Sequence, residues 1–131
     1  MAAVFRMVCS PAALAGAPAG WAISTLRDGE VALLVDEGGL PAINAAAHAL
    51  GLVSVSIVRS ESTPVAQEQT VIAFAGAFPL VWVAAQFSDS AQAWAHERGP
   101  MTLLVDAPRA LPEDERGRIG RFLALLARQT E

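Results

Sequence analysis

The chain has no lysine, no tyrosine and a single cysteine among its 131 residues. Each absence removes a chemistry. Without lysine there is no Schiff-base amine and no P-loop lysine to reach a nucleotide's phosphates. All 9 cations are arginine. One cysteine, Cys9, excludes an internal disulfide and a thiolate metal cluster, and its expected role is that of a small buried hydrophobe. No apolar run reaches the ~18 residues that a membrane helix needs, so no membrane span is expected. Arg6 does precede an Ala-rich stretch, but Pro11 and Pro18 interrupt it. A signal peptide is therefore not expected, and the cytoplasm is the expected compartment.

What is present is apolar and mildly acidic: 53% hydrophobic residues, 17% charged, and a net charge of -4. That balance argues against a sequence-independent nucleic-acid coat, which needs a basic face. The length suits one domain over residues 1–131, able to bury a single core without disulfides.

Leu80–Ala85 is a short, β-branched-rich, continuous apolar run, as expected of a strand covered on both faces. A helix should follow, with Ser88 or Asp89 as its cap and Ala91, Trp94 and Ala95 on one face. Gly99 and Pro100 stop it. Met101–Val105 is then a second buried strand, with Asp106 at its carboxyl end.

Upstream, residues 3–9 suit a strand, and Trp21–Leu26 suits a short helix or a strand. Asp28-Gly29 is a strong turn dipeptide, which favours a hairpin into the next strand. Val31–Asp36 is a buried strand, and Leu40, Ile43, Ala47 and Leu50 form the stripe of the helix after it. In Leu52–Val58, Val53, Val55 and Ile57 alternate with Ser54 and Ser56, a pattern for a strand that lines a cleft or lies near an edge. Pro64–Phe78 should be helical with Val71, Phe74 and Phe78 inward. The last helix starts after Pro112 with Ile119, Phe122, Leu123 and Leu126 as its stripe. Strands and helices alternate, so the fold class is α/β: one three-layer domain with a mixed or mostly parallel sheet of about five strands flanked by helices.

Phe87, Ser88, Ala91, Trp94, Ala95, Leu104, Val105, Asp106 and Leu111 together resemble the C-terminal half of Mrr-type restriction-endonuclease-like domains. The resemblance spans residues 80–111. It implies a nuclease-like mixed sheet, with an acid on one strand and Glu/Gln-x-Lys on the next. By order the latter falls in Val55–Arg59, where serine and valine stand at the two catalytic positions, so the resemblance implies an inactive copy. Strand order separates that arrangement from a doubly wound sheet. Glu37-Gly38 after a strand is also similar to the opening of Toprim domains, but their later Asp-x-Asp has no counterpart near Gln86-Phe87-Ser88.

Two groups of residues suggest sites. Asp36, Glu37 and Asp106 follow strands, where carboxylates can converge on a divalent cation such as magnesium. The bland alternative is that they cap helix N-termini. Arg109, Arg116, Arg118, Arg121 and Arg128 crowd the last quarter and could form an anion- or nucleic-acid-binding strip, against which Glu113, Asp114 and Glu115 set three opposite charges. His48 and His96 have no partner at metal spacing. The expected function is a non-catalytic interaction module working through a protein partner or a homodimer. The alternatives are a nucleic-acid-associated accessory subunit and a metal-dependent enzyme.

Overall fold

The computed structural model describes residues 4–35, 38–52 and 55–129. Five strands form one sheet: β1 (Phe5–Cys9), β2 (Gly29–Leu34), β3 (Ser56–Val58), β4 (Leu80–Ala84) and β5 (Thr102–Asp106). Their spatial order is β3-β2-β1-β4-β5, and every pairing is parallel. The helices are α1 (Ala19–Thr25), α2 (Gly39–Leu50), α3 (Pro64–Ala75), α4 (Asp89–Arg98) and α5 (Glu113–Gln129). Parallel neighbours require crossovers, and each strand-to-strand connection here contains a helix. This is the doubly wound arrangement rather than the mixed sheet.

Side-chain alternation divides the core in two. Phe5, Met7 and Cys9 of β1, with Val31, Leu33, Val81, Val83 and Val105, pack under α1, α2 and α5 through Ala22, Ile43, Leu50 and Ile119. On the other face Val8, Ala32, Leu80 and Trp82 pack under α3 and α4 through Val71, Ala75 and Ala91. Each fully buried Met7, Leu33 or Ile119 contributes about 1.5–3 kcal/mol relative to exposure. Trp82 meets Phe87 and Trp94 edge-on, with ring centroids 5.1 and 6.2 Å away. Among the described residues no helix is long and apolar enough to cross a membrane.

Local chemistry accounts for the helix boundaries. Ser88 is the N-cap of α4 and accepts from Ala91 N–H at 3.1 Å. Thr63 caps α3 in the same way, with Pro64 in the first helical turn. The hairpin expected at Asp28-Gly29 is absent, because residues 19–25 are helical and β1 and β2 run parallel. Gly29 has a different cause. It lies opposite Phe5 in the ladder, and a Cβ there would stand 2.2 Å from the Phe5 ring.

Four further expectations shift. α3 ends at Ala75, so Phe78 lies beyond it, and Met101 belongs to a 3₁₀ turn before β5. Leu40 is exposed rather than inward. In β3 the alternation is inverted: Val58 is buried and Ser56 half-buried, while Ile57 is 53% exposed. The strand does lie at an edge of the sheet. Ser54 falls outside the described residues.

Gly29→Ala should destabilise the fold by about 1–3 kcal/mol through overpacking against Phe5, measured by urea unfolding. Adding Phe5→Leu should recover part of that loss. An unchanged midpoint in Gly29→Ala would remove this account of the glycine.

Candidate functional site: the carboxyl margin of the sheet

In open α/β sheets ligands enter a crevice beyond the carboxyl ends of the strands, where the winding reverses. Here the reversal lies between β1 and β4. The chain itself fills both strand ends. After β1, Ser10 caps a 3₁₀ turn, Pro11–Leu14, by accepting from Ala13 N–H at 3.3 Å. The Ala13 carbonyl in turn accepts from Leu111 N–H at 2.8 Å. The segment that follows β5 is thereby tied across the end of β1.

After β4, the carboxylate of Glu68, projecting from α3, accepts from the Ser88 N–H at 2.9 Å and from the Ser88 hydroxyl. A carboxylate at the start of a helix occupies the position that an anionic ligand group would take in a nucleotide-binding fold. The first βα turn also lacks the Gly-rich fingerprint, since Gly16 is its one glycine before α1 begins.

A third polar group stands beyond β3. Glu61 accepts from Thr70 Oγ1 at 2.6 Å and from Arg59 Nε at 2.7 Å. The Thr70 hydroxyl first, and Arg59 second, hold the Glu61 carboxyl below the usual carboxylate range. Gln67 closes the loop, accepting from Glu61 N–H and donating to the Arg59 carbonyl. Every polar member of this group is engaged with another.

Asp36 and Glu37 lie outside the described residues. Asp106 is exposed at the end of edge strand β5. It is three strand spacings from β2, the strand that precedes Asp36, which is about 14 Å. Among the described residues no three of His, Cys, Asp and Glu are grouped as metal ligands.

The arginines diverge. Arg116 donates to the Leu111 carbonyl at 2.9 Å, and Arg118 pairs with Glu115 at 3.4 Å. Arg109, Arg121 and Arg128 are exposed. At helical spacing Arg118, Arg121 and Arg128 share one side of α5 and Arg116 points away from it.

Beside the crevice, a groove of about 740 Å³ separates residues 11–17 from α2. Ala12, Ala15, Ala42, Ala45 and Ala49 are among its walls, and among the described residues its lining is Ala, Gly, Pro or Leu. Those described walls offer no side-chain hydrogen bond. Cys9 is fully buried beneath this region, and burial pushes its thiol from 9.0 up to about 12.

The Glu68–Ser88 and Glu61–Thr70 contacts join residues 20 and 9 positions apart. No local motif announces either one. The only sequence signal was Ser88 as a helix cap. No family model, no curated protein and no solved structure matches the chain.

Two measurements follow. Glu68→Ala should cost about 0.5 kcal/mol of stability by exchanging the hydrogen bonds to exposed Ser88 for bonds to water, read as a lower urea midpoint. Glu68→Gln should cost less. Cys9 should resist thiol reagents at mildly alkaline pH until the protein is unfolded. Unfolding returns the thiol to its ordinary value near 9.0. This contribution to stability is therefore complete below that pH and is lost as pH rises toward 12. Rapid native-state labelling would contradict it.

Proposed function

We propose that this chain is a non-catalytic α/β interaction module that acts through protein contacts. The observation that carries this reading is the Glu68 carboxylate seated on Ser88 at the switch point of the sheet. The chain supplies its own anion where a doubly wound enzyme receives one from its ligand. The Ser10 cap and the Leu111–Ala13 hydrogen bond support the same reading at the end of β1. The likeness of residues 80–111 to restriction-endonuclease-like domains is one of βαβ packing, and the proposal does not depend on it.

A second reading keeps nucleic acid as the partner. It rests on Arg121 and Arg128, which share an exposed side of α5, and on exposed Arg109. The acidic total charge and the use of Arg116 and Arg118 within the chain weigh against it.

One melting series tests these readings. Anything that binds the native state raises its melting temperature. Adenine nucleotides with magnesium or manganese should leave the midpoint unchanged, and so should a short DNA duplex at low salt. A rise of several degrees with nucleotide and metal would overturn the module reading. A salt-sensitive rise with DNA would replace it with the accessory-subunit reading.

A further inference from the structure

Among the described residues, the β5 margin of the sheet presents hydrogen-bonding groups to no neighbouring strand. Ala107 N–H donates to the Ala84 carbonyl at 2.9 Å. Backbone groups alternate sides along a strand, so Leu103 and Val105 also face β4. Thr102, Leu104 and Asp106 therefore turn their backbone groups outward. The Thr102 N–H is taken by the Gly99 carbonyl. Both groups of Leu104, the Asp106 N–H and the Thr102 carbonyl are left directed at the free margin. Pro100 and Pro108 stand at the next outward positions on either side and bring no N–H, so they bound this stretch. Within Thr102–Asp106 there is no lysine and no proline, and Asp106 at its end is the one charge on the edge.

We propose that β5 is an interface to a second copy of this chain, paired antiparallel about a two-fold axis through Leu104. The proposal rests on the interaction-module reading and names its partner. In this register each Leu104 N–H meets the other copy's Leu104 carbonyl, and each Asp106 N–H meets its Thr102 carbonyl. Side chains match as well: Leu104 faces Leu104, Leu103 faces Val105, and the Asp106 carboxylate faces Thr102. Moving the pairing by one step of the ladder sets Asp106 against Leu104 or against Pro100, which selects the two-fold at Leu104.

The flank of α5 agrees with this placement. Gly120, Ala124 and Ala127 face Val4, Phe5 and Ser24 across a cavity of about 400 Å³. Leu125 lies on the opposite flank at helical spacing, between Arg118 and Arg121 and toward the free margin of β5, and is 57% exposed. A second copy joined at β5 brings its own α5 alongside and covers this leucine.

Sedimentation of the full chain over a wide concentration range tests the proposal. The expected species is a reversible dimer of twice 13.7 kDa. Asp106→Pro deletes an outward N–H without touching the β4 ladder, and Leu125→Arg adds a further cation to the side of α5 that already carries Arg118, Arg121 and Arg128. Each should weaken dimerisation about tenfold or more while keeping the wild-type circular dichroism. If Asp106→Pro fails to fold, Leu125→Arg alone decides. A chain that stays monomeric at the highest concentration overturns the proposal, including one that captures a different protein along β5. So does a dimer indifferent to both substitutions. A nucleotide-dependent rise in melting temperature together with an intact dimer would sink the module reading and spare this interface.

Discussion

A parallel strand cannot reach its neighbour by a tight turn; the chain must travel back over one face of the sheet first. That constraint organises the whole molecule, and β1 is where it acts. β1 lies between β2 and β4 and is buried from both sides: Phe5, Met7 and Cys9 go to one core, and Val8 goes to the other. Winding outward in one direction places α1 and α2 on the first face. Winding outward in the other places α3 and α4 on the second. The one charge in β1 is Arg6, and it is held from three sides. Its guanidinium donates to Glu30 at 3.1 Å and to the Phe74 carbonyl at the end of α3, and it lies 4.2 Å from the Phe78 ring centroid. Planar, multiply donating arginine suits such a place, and a lysine could not meet all three partners at once.

The polar contacts follow the same division of labour. Glu30 on β2 receives both Arg6 and Ser56 Oγ, so a single carboxylate links β1, β2 and β3 toward the amino ends of the strands. At the carboxyl ends, Glu61 and Glu68 tie loops to α3 and α4. These are the positions at which a doubly wound enzyme keeps its reactive groups free. In this chain they brace the scaffold.

Elements with strong punctuation were legible in the sequence. α4 has Ser88 before it and Gly99-Pro100 after it, and its flanking strands are continuous apolar runs too short to be helices. α1 was not legible, since seven residues between a proline and an Asp-Gly pair show no helical period. Gly29 looked like a turn residue because its actual reason, the Phe5 ring, is 24 positions away. β3 misled for a similar reason: Ser56 turns inward toward Glu30, a partner 26 residues earlier. Strand order is equally hidden, because right-handed crossovers are compatible with several orders. That is why Asp106 could be placed at a strand end, whereas its separation from β2 could not.

An open sheet has two unlike margins, and here they differ in length. β5 offers five residues and β3 only three. Had both been equally long and bare, one copy's β3 could have docked on the next copy's β5. That contact is heterologous and does not close, so it would propagate into a filament. The three residues of β3 offer such growth a much shorter second template, so any pairing of copies at β5 would favour a finite, symmetric particle over a filament.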